Sequence, residues 1–138
     1  PVSVIQLAGE QGVWIFQVRR LGPARKQLWS LLADAAYLKV GVALKHDLAK
    51  LQALEPLEPK GFVDLATIAA RLGIKNHGLR GLCAIILGFR ISKRAQRSNW
   101  AREPLTPSQL TYAATDAWVG REIYLELLRR GLISADAS

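Results

Sequence analysis

Apolar positions along this chain change their period several times, and each change marks an element. "VSVIQLA" and "VWIFQV" are two β-rich runs on either side of "GEQG", which predicts an antiparallel hairpin. "RKQLWSLLADAAY" has helical spacing at Leu28, Leu31, Leu32 and Ala35. "KVGVAL" is a short apolar run suited to a buried strand, and "HDLAKLQAL" is a helix stopped by "EPLEPKG". "FVDLATIAARLG" starts extended, with Asp64 placed to cap a helix and Gly73 to end it. "GLRGLCAIILG" is a further helix ending at Gly88, and "FRISKRAQRSNWAREPL" is a long basic loop. The final helix has the best-marked ends: Thr106 as N-cap, Pro107 at N1, Gln109 completing a capping box, and Gly131 after Arg129 and Arg130. No repeat, low-complexity tract or linker divides the chain. The expected architecture is α/β, a mixed β-sheet flanked by helices, in one domain over residues 1–138.

Composition narrows the class. A length of 138 residues with half of them hydrophobic suits a real core and argues against disorder. No apolar run approaches ~18 residues, and the start lacks the basic and apolar regions of a signal peptide. With one cysteine, Cys83, the chain has no internal disulfide or cysteine zinc cluster, and the apolar neighbours of Cys83 suggest a buried structural thiol. These features fit a cytoplasmic or nuclear protein. The net charge is +8, and no Asp or Glu occurs from Leu65 to Arg102. That window holds Arg71, Lys75, Arg80, Arg90, Lys93, Arg94, Arg97 and Arg102. Such a segment suits a polyanion, because basic groups release counterions from phosphates. A solvated face that aids solubility is the alternative.

Candidate chemistry concentrates in the final helix. At about 100° per residue, Tyr112, Asp116, Val119, Ile123 and Leu127 share a stripe about 80° wide. Its branched aliphatics turn the stripe inward, so Asp116 needs a partner, either a metal ion or a structural partner such as an arginine. Asp47 follows the strand "KVGVAL" at its C-terminal end, where α/β sheets commonly present their sites. It is a second candidate carboxylate for a hard cation and equally a candidate helix N-cap. Trp100 lies between Arg97 and Arg102, as a nucleobase platform or a loop residue pinned on the core. Lys93, Arg94 and Arg97 are candidate phosphate contacts. His46 and His77 are expected in turns, and Trp14, Trp29 and Trp118 in packing.

Taken in order, these residues are recognisable. "KVGVALKHDLAKL" resembles the second motif of the DEDD superfamily of 3′–5′ exonucleases. "SNWAREPLTPSQLTYAATDAWVGREIYLEL" resembles the third motif of the subclass with a tyrosine four residues before the last aspartate, as in Werner-type exonuclease domains and ribonuclease D. The resemblance spans Val2 to Leu128. It implies an RNase H-like fold and two divalent ions, Mg2+ or Mn2+. It also implies release of nucleoside 5′-monophosphates from the 3′ end of single-stranded or 3′-recessed DNA or RNA. By position, Asp116 is a direct metal ligand, Asp47 supports the second metal through water, and Tyr112 orients the attacking water. The family's first motif, Asp-x-Glu on a central first strand, belongs upstream of "VSVIQL", and no such pair precedes the hairpin. The expectation is an N-terminally incomplete exonuclease domain lacking its first strand, with the strand before Asp47 left without a neighbour. A catalytically inactive nuclease-fold module that binds nucleic acid or a protein partner is the alternative. An unrelated α/β interaction domain with incidental charge is a third possibility.

Overall fold

The structure is a computed structural model and describes residues 2–135. β1 (Val4–Gly9) and β2 (Gly12–Gln17) pair antiparallel, from Val4 opposite Gln17 to Gly9 opposite Gly12, so "GEQG" is the hairpin turn. A 3-10 turn at Val18–Arg20 leads to α1 (Ala24–Leu32). α1 ends sooner than its apolar spacing predicts, and Ala35 lies outside it. Just beyond, the Asp34 carboxylate accepts the Ala36 N–H at 2.9 Å, a local turn that competes with helix.

β3 (Lys39–Gly41) and β4 (Phe62–Asp64) pair in parallel, and α2 (Leu44–Leu54) connects them. The strand before Asp47 therefore has a neighbour, contrary to expectation, because the chain returns after α2 to lay β4 beside it. Lys39 secures this layer. Its buried ammonium donates to the carbonyls of Leu31 (2.8 Å) and Asp34 (2.7 Å) at the end of α1, and it lies 5.1 Å from the centre of the Phe62 ring. Burial lowers its pKa, and the Asp34 charge opposes that shift.

α3 (Leu65–Arg71) starts at Asp64, as the sequence indicates, and Gly73 ends it at φ +77°. α4 (Leu79–Leu82) runs into a π-type turn over Cys83–Leu87 and stops at Gly88. α5 (Pro107–Arg129) has the expected capping box at Thr106 and Gln109, with Gly131 just past its end. Both strand directions occur, but in two separate two-stranded ladders, and α5 packs against β1, β2 and β3.

The inward stripe of α5 makes the larger core. Val119 and Ile123 are fully buried and Leu127 nearly so, against Val63, Leu65, Ile68, Leu82 and Cys83. Each buried aliphatic contributes about 1.5–3 kcal/mol relative to exposure. Cys83 is enclosed as expected, and burial pushes its thiol pKa up. A second cluster joins α1, through Leu28, Trp29 and Leu32, to Leu21 and Leu51. Trp14 and Trp118 depart from the packing role expected of them, being 50% and 43% exposed. Trp118 stacks on exposed Phe89 with ring centres 6.3 Å apart. No helix among the described residues is long and apolar enough to cross a membrane.

Candidate active site

The first turn of α5 organises one side of the site. The Thr106 N–H donates to Gln109 Oε1 (2.9 Å) and the Gln109 N–H donates to Thr106 Oγ1 (3.1 Å), the reciprocal capping box. Gln109 is 2% exposed, and its Nε2 also donates to Ser98 Oγ (3.0 Å) and to the Asn99 carbonyl (2.9 Å). "SNW" is thereby clamped to the helix that carries Tyr112 and Asp116. The Trp100 indole N–H donates to the Gln96 carbonyl (3.2 Å), and its ring lies tilted on Tyr112, centroids 5.9 Å apart. Trp100 is both pinned and available: it still borders a cavity with Asp47, Lys50 and Tyr112.

Tyr112 and Asp116 are half-buried, one helical turn apart. Burial raises the Asp116 pKa above the ordinary carboxylate value, while the Tyr112 hydroxyl and the Arg80 charge pull it back. Burial also raises the Tyr112 phenol, the Asp116 charge and polar contact add to that, and Arg80 opposes it. The phenol is therefore neutral at ordinary pH. An arginine was one candidate partner for Asp116, yet among the described residues Asp116 makes no salt bridge. Arg80 stands near it without pairing.

Asp47 reaches the site differently. It is an exposed residue in the first turn of α2, not the N-cap. Ala43 occupies the cap position in the left-handed region, at φ +54°. The N–H groups of Ala43 and Leu44 donate to the Asp64 carboxylate (3.0 and 2.9 Å), which also accepts the Ala66 N–H (2.9 Å). One aspartate at the end of β4 thus caps two helices. Asp47 keeps its carboxylate free, with no cap bond or ion pair among the described residues.

Three adjoining cavities surround these side chains. One of about 430 Å³ lies between β1 and β3, bordered by Ile5, Leu7, Val40 and Val42 together with Asp47 and Asp116. The Trp100 cavity, about 280 Å³, brings Asp47 to Tyr112. A third, about 520 Å³, joins Tyr112 and Asp116 to Ser92, Arg94, Thr111 and Thr115. Arg94 thus faces the site, whereas Lys93 and Arg97 are exposed on the same loop and border none of the three. His46 is exposed on α2 rather than in a turn, and His77 precedes α4 in a loop. Sequence reasoning missed the Gln109 clamp, the double cap by Asp64 and the position of Arg80. Arg80 had one visible signal, as the single charge in "GLRGLCAIILG".

Two carboxylates from separate helices fit a hard divalent cation in kind. Mg2+ takes one or two protein carboxylates and completes its shell with water and phosphate oxygens. Among the described residues no group of three or more His, Cys, Asp or Glu side chains is placed to hold a metal.

Comparison with known proteins identifies the family of the chain. Residues 2–131 match the sequence profile of the 3′–5′ exonuclease family, and the chain belongs to that family. It is 33% identical over 132 residues to "Exonuclease 3′-5′ domain-containing protein 2" of Drosophila melanogaster, covering 94% of this chain and 23% of that protein. It is also 33% identical over 131 residues to "Bifunctional 3′-5′ exonuclease/ATP-dependent helicase WRN" of Mus musculus, covering 91% of this chain and 9% of that protein. The chain therefore spans less than a quarter of the length of either relative. The solved exonuclease domain of Aedes aegypti Nibbler superposes with a TM-score of 0.83 at 26% identity, over 94% of this chain and 70% of that one. The fold is the RNase H-like α/β fold of these exonuclease domains.

Proposed function

We propose that this chain carries part of the active site of a metal-dependent 3′–5′ exonuclease, which hydrolyses terminal phosphodiester bonds and releases nucleoside 5′-monophosphates. The observation that carries it is the approach of Asp47, Tyr112 and Asp116, from two helices, to adjoining cavities. Asp116 would hold Mg2+ or Mn2+ directly, and Asp47 would support a second ion through water. When bound, such ions lower the pKa of water and stabilise charge on the attacking and leaving oxygens. Tyr112, a neutral phenol whose pKa burial raises further, orients the attacking water rather than taking its proton. Trp100 offers a stacking face beside the phenol, and Lys93, Arg94 and Arg97 contact phosphates of single-stranded or 3′-recessed DNA or RNA.

Residues 1–138 act as one domain that a further strand completes. The cavity between β1 and β3 suits this, because two strands of different ladders border it and both aspartates lie along it. Asp-x-Glu on such a strand would point both carboxylates to one face, since side chains alternate with period two.

The test is nucleotide release from a 3′-labelled single strand by the full-length gene product. Mononucleotides should appear in Mg2+ and vanish in EDTA and in Asp116→Asn. For residues 1–138 alone, an alternating apolar peptide bearing Asp-x-Glu should increase release. Salt-sensitive binding with no metal-dependent release by the full-length product would favour the inactive nuclease-fold module instead.

A further inference from the structure

Trp118 and Phe89 have no place in the chemistry described so far. Both are large aromatic side chains left open to solvent, 43% and 41% exposed. They are not scattered. Their rings stack on each other, with 6.3 Å between centres and 27° between planes. Single exposed apolar side chains are ordinary, but two flat rings held together at the surface form a patch that suits a ligand. Each ring restrains the other, so the pair presents its open faces ready-made.

Position ties the pair to the site. The cavity of about 520 Å³ beside Tyr112 and Asp116 has two walls: α5 with Thr111 and Thr115, and the loop after Gly88 with Ser92 and Arg94. At about 100° per residue, Thr111, Thr115 and Trp118 share a sector of α5 about 60° wide. Trp118 therefore continues the first wall, and Phe89 begins the loop that forms the second. The two walls meet at the stack, one helical turn beyond Thr115. The loop is cationic, with exposed Arg90 and Arg94, and no Asp or Glu occurs from Leu65 to Arg102. On α5, Arg121 and Glu122 stand a turn past Trp118 and offset each other. A cationic cleft that ends at an aromatic platform has what a single strand requires, charge for the backbone and ring faces for the bases.

We propose that the Phe89–Trp118 pair is a stacking platform for a base of the single strand, on the 5′ side of the nucleotide held at Tyr112 and Asp116. This rests on the exonuclease function proposed above and extends its site by one base. The platform lies past the cavity, so the strand reaches it only after crossing the hydroxyls and guanidinium on the two walls. Every base has a π-face, so the contact adds affinity without reading sequence.

The test uses the full-length gene product in EDTA, with binding of a labelled thymidylate decamer read by fluorescence anisotropy. Trp118→Leu should bind about tenfold more weakly, the scale of one lost stacking contact, and Phe89→Leu should also weaken binding. Trp118→Phe restores a ring and should stay within about threefold of the wild type. A decamer lacking all its bases should bind the wild type and Trp118→Leu equally. Thermal melting checks each variant, and if Trp118→Leu does not fold, Phe89→Leu carries the comparison. No measurable binding of the decamer by the wild type overturns the proposal. So does binding indifferent to both leucine substitutions, or an equal loss with the strand that lacks bases. Leucine substitutions that spare strand binding but split an oligomer in sedimentation would assign the face to a second copy of the chain instead. Platform-dependent binding in a protein that releases no nucleotides in Mg2+ would support the platform and sink the exonuclease function. Metal-dependent release with binding indifferent to the platform would do the reverse.

Discussion

The two helices that present the candidate site are built by opposite strategies. α5 holds Tyr112 and Asp116 through 23 residues of regular helix, a capping box within one turn and an inward aliphatic stripe. α2 holds Asp47 on an exposed first turn, behind a left-handed Ala43, and its free N–H groups are met by Asp64 about 20 residues away. One side is fixed by its own sequence, the other by a contact that exists only in the folded chain. Damage near α5 should therefore act on the carboxylate or the loop directly. Damage to α2 should be possible from a distance.

The largest expected effect is at Asp116. Asp116→Asn should reduce nucleotide release by about 1000-fold or more, as for a group acting within one catalytic unit. The same change should flatten one pH dependence. Because the folded Asp116 pKa is raised, its contribution to metal-free stability is fully present below the unfolded carboxyl pKa and is lost as pH rises through the folded value. Melting in EDTA should thus show Asp116→Asn more stable than wild type at neutral pH, with the gap closing in acid. A gap that widens in acid would mean that partners within the protein already satisfy the carboxylate.

Asp64→Ala tests the remote support. Loss of one acceptor for three N–H groups should cost about 1–3 kcal/mol of stability. Nucleotide release should drop about 10- to 100-fold through a displaced Asp47, although Asp64 touches no substrate. If release is unaffected at a temperature where the variant is folded, α2 does not depend on Asp64 and the contrast between the helices fails.

Gln109→Ala should be milder in activity. It breaks the clamp on Ser98 and Asn99, so KM should rise more than kcat falls, at a stability cost of about 1–3 kcal/mol. Red-shifted tryptophan fluorescence, abolished by Trp100→Phe, would tie the change to that loop. The smallest effects belong to the basic loop. Arg94→Ala should lower the slope of log affinity for a single strand against log salt by ~0.7, the amount for one phosphate contact. Lys93→Ala and Arg97→Ala, at exposed positions away from the cavities, should lower it by less.

What could be read from sequence follows the same division. The hairpin, the caps of α3 and α5, the inward face of Asp116 and the loop between α4 and α5 all depend on neighbours within a few residues, where turn chemistry and helical period act. Asp47 as an N-cap was the wrong local solution, because the helix starts at Leu44 and Asp64 supplies the acceptor from another strand. α1 was read too long because Ala35 and its neighbours continue an apolar period that the Asp34 turn interrupts. The partner of β3 was missed because parallel pairing arises after a helix and a long turn, and the short run "FVD" carries no sign of it. Arg80 and Gln109 looked like one charge in an apolar helix and one half of a cap. The bonds of Gln109 to Ser98 and Asn99 appear only when the loop closes on α5.

The central claim is that Asp47 and Asp116 serve one divalent-cation site despite their different supports. Calorimetric Mn2+ binding to the full-length protein, with Asp47→Asn, Asp116→Asn and the double variant, tests it most directly. The expected result is weaker binding in each single variant, more so in Asp116→Asn, with a double variant departing from additivity by at least about 1 kcal/mol. Strictly additive losses, or Mn2+ binding indifferent to either substitution, would contradict it.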